Sequence, residues 1–232
     1  MAKGKRPEII LPKLDELFSS QESREEERLS KIRDIPIDMI DDFPKHPFKV
    51  QDDEDMMHLV ESVSEHGVLV PAILRLKEDG RYELIAGHRR KRACQLAGFE
   101  TLRAEVVDLD RDAATIYMVE SNLQRTTILP SEKAFSYKMR LEAMKRQGRR
   151  SDLTSTPVVS KLRTDEEIGK DVGESREQIR RYIRLTELVP PLLDMVDAGK
   201  MALRPAVEIS YLPEVLQLSL YRYIEQEECT PS

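Results

Sequence analysis

Apolar residues recur along this chain in two rhythms, and the change from one to the other divides it. Over residues 33–125, short apolar runs alternate with stretches of helical spacing. Ile35 to Ile40 predicts a strand. From Asp53 to His66, Met56, Leu59, Val60 and Val63 share one helical face, and Gly67 follows where a left-handed residue ends a helix. Ala72–Leu76 and Tyr82–Ala86 predict two strands. The turn sequence Lys77-Glu78-Asp79-Gly80-Arg81 joins them into a hairpin. A short helix with Ala93, Leu96 and Ala97 opens after Gly87 and closes at Gly98. A strand from Leu102 to Leu109 and a helix from Arg111 to Asn122 complete the block, which ends on the polar run Ser121-Asn122-Leu123-Gln124-Arg125.

From 126 to 232 the rhythm is helical throughout. Ser131 to Gln147 carries Ala134, Tyr137, Met139, Leu141 and Met144, with Gly148 as its expected end and Ser151 to Thr156 as a polar loop. Two capping boxes then come close together, Thr164-Asp165-Glu166-Glu167 and Ser175-Arg176-Glu177-Gln178. Asp171-Val172-Gly173-Glu174 between them reads as a tight turn, which predicts a helix-turn-helix. Ile168 and Val172 are expected to face Ile179, Tyr182 and Ile183, leaving Arg176, Arg180, Arg181 and Arg184 outward. A recognition helix reads bases with its N-terminal residues, so Ser175, Arg176, Gln178, Arg180, Arg181 and Arg184 are the candidate DNA contacts. The same pattern also fits a charged surface helix.

Residues 1–32 are too polar and charged to build a core, and read as a flexible arm. Leu14, Leu17 and Phe18 lie at helical spacing behind the basic tip Lys3, Lys5 and Arg6. This suits either a disordered tail or a short partner-binding helix. The expected architecture is therefore α+β: an arm over 1–32, an α/β domain over 33–125, and an all-α helix-turn-helix domain over 126–232.

Composition sharpens the picture. The chain has 232 residues, 34% of them charged, and no tryptophan. No apolar run approaches the roughly 20 residues needed to cross a bilayer. No secretory signal is evident, and two cysteines, Cys94 and Cys229, make no disulfide framework or metal-ligand spacing. A cytoplasmic protein without membrane contact is expected. The net charge of -6 opposes nucleic-acid binding at first sight. Over 131–185, however, 14 Lys/Arg stand against 9 Asp/Glu, a local excess of +5. Local charge decides whether a face meets phosphates.

The densest chemistry lies at Gly87-His88-Arg89-Arg90-Lys91-Arg92-Ala93. A glycine between strand and helix lets a ligand approach the backbone, and the new helix offers unpaired N–H groups there. Three arginines and a lysine at that turn suit a polyphosphate, though they also fit a solvated basic face. Asn122 is equally open to two readings, oxygen donor to a hard cation or plain helix-end cap.

Those motifs in that order resemble the ParB family of bacterial partition proteins. Gly67-Val68-Leu69-Val70-Pro71 and His46-Pro47 match the same pattern, so the resemblance spans about 33–212. It implies a sulfiredoxin-like nucleotide-binding domain followed by a centromere-binding helical domain. It implies CTP and Mg²⁺ as cofactors, a homodimer closing as a clamp on double-stranded DNA, nucleoid association, and a ParA-type ATPase met through the arm. Carried over residue by residue, Gly87, Arg89 and Arg90 hold phosphates with His88 in the same turn. Gly67, Leu69 and Pro71 help wall the base, Asn122 sits at the Mg²⁺ with Arg125 nearby, and Arg176 meets DNA.

This chain departs from the family where His88 and Ser121 replace usual glutamates, and Glu120 is about 100° round the helix from the missing acid. Hydrolysis of CTP is therefore expected to be slow or absent. The family's C-terminal dimerisation domain has no obvious counterpart before Ser232. A helix-turn-helix regulator without hydrolysis, or a nucleoid-occlusion relative, is the alternative reading. Sulfiredoxin-type catalysis is not expected, because glycine stands at the nucleophile position (Gly87) and Cys94 lies two turns further on.

Overall fold

The computed structural model of the chain describes residues 31–125, 128–151 and 168–227. The expected arm, apart from its last two residues, lies outside them, as do most of the polar loop and the first capping box. Within them the fold is α+β: a five-stranded mixed sheet with helices on both faces, followed by helices alone.

The sheet has the strand order β1-β5-β3-β4-β2. β1 (Ile32–Pro36) runs antiparallel to β5 (Thr101–Val107), and β2 (Ile40–Asp42) runs parallel to β4 (Tyr82–Ala86). β3 (Ala72–Leu76) lies between β4 and β5, antiparallel to the first and parallel to the second. The single strand expected from Ile35 to Ile40 is thus two strands on opposite edges, separated by a 3₁₀ turn at Ile37–Met39. Pro36, paired with Thr101, is the last residue of β1, a place on an edge strand where its missing N–H is tolerated, and the chain turns away after Ile37 N bonds Glu100 O. The short link also bends the sheet. Its reach from Pro36 to Ile40 is at most about 14 Å, whereas a flat sheet would set these edges about 19 Å apart, so the sheet curls.

Alternation along the strands assigns the two faces. Ala72, Leu74, Leu84, Leu102 and Ala104 meet α1 (Glu54–His66) and α2 (His88–Leu96) through Met56, Val63, Ala93 and Cys94. Ile73 and Ile85, one residue out of step, meet Ala114, Met118 and Val119 of α3 (Arg111–Leu123) on the other face. Asp53 and Asp110 cap α1 and α3 through their carboxylates. Cys94 is fully buried, and burial pushes its thiol pKa up, which suits a core residue rather than a nucleophile.

α4 (Pro130–Ser151) is the axis of the helical part. The expected stop at Gly148 does not occur. Gly148 keeps helical backbone and the helix continues to Ser151. Glycine ends a helix only when it turns left-handed, and in a helix interior costs merely about 1 kcal/mol. Residues 168–172 are helical and are followed by α5 (Arg176–Arg184), α6 (Pro190–Asp197), α7 (Leu203–Ile209) and α8 (Glu214–Glu227). Ile168, Val172, Ile179, Tyr182 and Ile183 meet as expected, against Tyr137, Leu141 and Met144 of α4.

Candidate functional site

Sterics fix the turn between β4 and α2. Gly87 adopts φ +105°, and a Cβ there would lie 2.9 Å from the Cβ of Ala72 on β3. Only glycine tolerates both. The start of α2 is thereby seated against the sheet, and five charged or imidazole side chains leave it in succession.

Not all of them are free for a ligand. Lys91 is buried and donates from Nζ to Ile40 O (2.9 Å) and Asp42 Oδ1 (2.7 Å). Arg92 grips Asp52 with Nε at 3.0 Å and Nη2 at 2.5 Å. The four-cation cluster expected at this turn is therefore halved. Arg89 is loosely held, its Nη2 3.4 Å from Asp53 Oδ1, an oxygen already accepting from Met56 N. Arg90 donates from Nη1 to the carbonyls of Val70 (2.6 Å) and Pro71 (2.5 Å).

Above this turn lies a cleft of about 500 Å³. Phe48, Val50, Leu59 and Val70 give it an apolar side, and Lys49, Arg89, Arg90 and Arg125 give it a cationic one. Gly87, His46, His88 and Asn122 complete it, and among the described residues no carboxylate lines it. Such a division accommodates a ligand with a flat apolar part and a polyanionic part.

The sequence-nominated Gly87, His88, Arg89, Arg90, Asn122 and Arg125 come together here. Gly67, Leu69 and Pro71 do not line the cleft. Gly67 ends α1 at φ +70°, Leu69 is 71% exposed, and Pro71 contributes only its carbonyl to Arg90. Val70 is the residue of that segment that reaches the cleft. Phe48, Lys49 and Val50 went unrecognised in the sequence, where only His46-Pro47 pointed to this loop, and Leu59 was read only as part of the apolar face of α1.

His46 and His88 stack, with ring centroids 3.7 Å apart and an interplanar angle of 31°. His46 Nδ1 is 2.8 Å from Phe48 O. A carbonyl only accepts, so this nitrogen carries the proton. Burial lowers the pKa of His46, and burial together with the neighbouring His46 pushes His88 down to about 3. Both rings are neutral at pH 7.

The Mg²⁺ site expected at Asn122 does not fit the donors present. Asn122 Nδ2 donates to Met118 O at 2.9 Å, and Ser121 Oγ donates to the same carbonyl at 3.0 Å. Glu120 is turned to Arg140 Nη2 at 2.7 Å. That leaves the Asn122 amide oxygen and the Ser121 hydroxyl oxygen, both neutral, while a protein site for a hard cation is normally built on at least one carboxylate.

The cleft wall is fastened to the helical part. Lys49 N donates to Glu132 Oε1 at 2.9 Å, and Leu129 N donates to Oε2 of the same carboxylate at 3.1 Å. Asp197 of α6 accepts from Ser131 N (2.9 Å) and Oγ (2.5 Å) at the start of α4. Arg140, 3% exposed, joins Glu120 of α3 to Asp171 of the first helix-turn-helix helix.

In the helix-turn-helix, Glu174 N donates to Gly169 O at 3.0 Å, and Gly173 turns left-handed at φ +69°. A Cβ on Gly169 would lie 2.6 Å from Glu174 O, so this glycine sets how tightly the two helices meet. Ser175 is spent on the cap, its Oγ accepting from Gln178 N at 3.1 Å. Gln178 and Arg176 are half-buried, while Arg180 and Arg181 are exposed. Arg181 lies 3.4 Å from Glu177. Arg184 is not outward as expected. Its Nε and Nη2 donate to Ser210 Oγ (3.0 Å) and Ser210 O (2.7 Å), and it covers the Tyr211 ring. The fourfold spacing of arginines could not disclose this, because the acceptors arrive from α7.

Two family models match the chain: the ParB N-terminal domain over residues 19–123 and the ParB HTH domain over 159–230. A probable chromosome-partitioning protein ParB of Helicobacter pylori is 34% identical over 179 residues, covering 77% of this chain and 54% of that protein. A chromosome-partitioning protein Spo0J of Thermus thermophilus is 33% identical over 196 residues, covering 80% and 65%. The chain thus spans between half and two thirds of the length of these relatives. A solved Pnob8-like ParB-N domain, 19% identical and covering 77% of this chain and 78% of its own, matches with a TM-score of 0.52, a likeness of fold.

Proposed function

The chain belongs to the ParB family, and from that premise we propose that it is a DNA-binding partition protein whose hold on double-stranded DNA is switched by a nucleoside triphosphate in the cleft at Gly87. The family resemblance implies CTP. The observation that carries the reading is the convergence of Gly87, Arg89, Arg90 and Arg125 on one cleft with an apolar wall opposite.

The residues suggest how occupancy reaches the rest of the molecule. A triphosphate accepts forked guanidinium bonds better than the present partners of Arg89 and Arg90 do. It draws Arg89 from Asp53, which caps α1, and Arg90 from the carbonyls of Val70 and Pro71. The 67–71 segment is then released, Asp53 keeps its cap on α1 through Met56 N, and Lys49 and Glu132 relay the change in the cleft wall to α4. At the other end, Arg180 and Arg181 meet phosphates and Arg176, near the start of α5, meets a base or the adjacent backbone. Homodimer formation and contact with a ParA-type ATPase through the arm belong to the same proposal. No helix among the described residues is long and apolar enough to cross a membrane.

Hydrolysis is not part of it, since the donors present do not fit Mg²⁺. That mismatch also favours a second reading, a helix-turn-helix regulator whose cleft takes no nucleotide. Retention on DNA separates the two. The protein is loaded on DNA with both ends blocked, with each of the four nucleoside triphosphates, and washed with salt. The switch reading predicts that CTP alone changes the retained fraction. Indifference to all four nucleotides supports the regulator instead.

A further inference from the structure

His46 and His88 sit where a phosphate is expected, yet as it stands the Nε2 of His46 repels one. His46 gives its Nδ1 proton to Phe48 O, which leaves Nε2 a bare lone pair. Nε2 of both rings is buried and has no hydrogen-bond partner. A deprotonated phosphate oxygen only accepts, so it can satisfy the Nε2 of His46 only once that nitrogen has taken up a proton. The stack at 3.7 Å places His88, the first residue of α2, against it. Building on the nucleotide reading of this cleft, we propose that the His46–His88 pair is a proton-accepting part of the phosphate site, so that nucleotide binding takes up about one proton.

The surroundings set the direction. The pair faces Asp42 at the end of β2 and Glu132 on α4, whose negative charges favour an added proton. Lys91 on α2 and Arg125 after α3 oppose it, and Lys49, Arg89 and Arg90 line the same cleft. In the open cleft burial and these cations keep both rings neutral. A bound polyphosphate neutralises Lys49, Arg89, Arg90 and Arg125 and adds its own negative charge, which raises the affinity of the imidazoles for a proton. Chemically this is a route by which a site poor in carboxylates balances ligand charge with a proton.

The sign follows from linkage. If the complex holds one more proton than its separated parts, affinity for nucleotide rises as pH falls. The change is about tenfold per unit between the imidazole pKa of the free cleft and that of the occupied one. The test is calorimetry of CTP binding to the whole chain without divalent cation, in buffers of different ionisation enthalpy at one pH, repeated across pH 6–8. Protons released or taken up by the nucleotide itself are common to every variant and cancel in the difference. The wild type is expected to take up about one proton more than His46→Gln and His88→Gln, each compared at CTP concentrations that saturate it.

Equal proton numbers in wild type and both variants, with CTP bound, overturn the proton-accepting role and leave the nucleotide reading intact. Histidine C2-proton resonances of the wild type give an independent reading: no downfield shift of either ring on CTP addition overturns it as well. Absence of binding by any nucleotide at any pH instead defeats the nucleotide reading and this inference with it.

Discussion

The guanidinium of Arg184 lies over the ring of Tyr211, its central carbon 4.1 Å from the ring centroid. With its two bonds to Ser210, this makes the last residue of α5 a clamp on the α7 end rather than a free phosphate ligand. Arg184→Ala is expected to cost about 2–3 kcal/mol of stability, from the loss of charge-assisted bonds and a cation–π contact. Arg180→Ala, on an exposed side chain, costs no more than about 1 kcal/mol of stability but weakens DNA binding on all sequences and lowers the salt slope by about one. Urea unfolding and a salt series of DNA titrations check the pair. Equal effects of both substitutions in both assays contradict it.

Gly169 bears on the same unit. A methyl group there meets Glu174 O at 2.6 Å, and the obstacle is backbone, not a flexible side chain. Gly169→Ala is expected to cost about 2 kcal/mol or more and to widen the turn. DNA affinity should fall even at temperatures where the variant is folded. A variant with wild-type melting temperature and DNA affinity removes the close approach from the account.

Arg140 invites a double-mutant cycle. Its buried guanidinium is shared by two half-exposed acids, Glu120 and Asp171. Either acid alone keeps the cation partnered, so Glu120→Gln and Asp171→Asn should each cost less than about 1 kcal/mol. Removing both strands a buried charge, which costs about 3–5 kcal/mol. Strictly additive losses in chemical denaturation show that the two acids do not share the cation.

Stability also depends on pH through the stacked imidazoles. His88 has a folded pKa of about 3 against an unfolded value of 6.5. Between those values the unfolded chain binds more protons, so stability falls as pH drops below about 6.5 and recovers as it rises. The effect amounts to a few kcal/mol by about pH 4. Melting curves of wild type and His88→Gln from pH 7 to pH 4 should converge on the acid side or cross. Parallel curves exclude His88 as the source.

Much of this was legible along the chain, for reasons that differ by element. The β3–β4 hairpin and α1 follow local rules, a turn sequence and a 3.6-residue stripe with Asp53 and Gly67 at its ends. The Ser175 cap was equally local. The split between β1 and β2 was not legible from apolar spacing, since it depends on which edge each half joins, although Pro36 marked the place. Arg89 and Lys91 look alike in sequence. Only the fold brings Asp42 and Ile40 to Lys91 and leaves Arg89 loosely held. For the same reason the cleft's apolar wall, drawn from residues 48–70, could not be read from the basic turn it faces.

The account rests most directly on the two arginines of that turn, and equilibrium CTP binding to wild type, Arg89→Ala and Arg90→Ala measures them. Each loss is expected to weaken CTP binding by about 1.5–3 kcal/mol, roughly ten- to more than a hundredfold, with DNA binding in the absence of nucleotide preserved. CTP affinity unchanged in both variants, or no CTP binding by the wild type, contradicts the assignment of this cleft to a nucleotide.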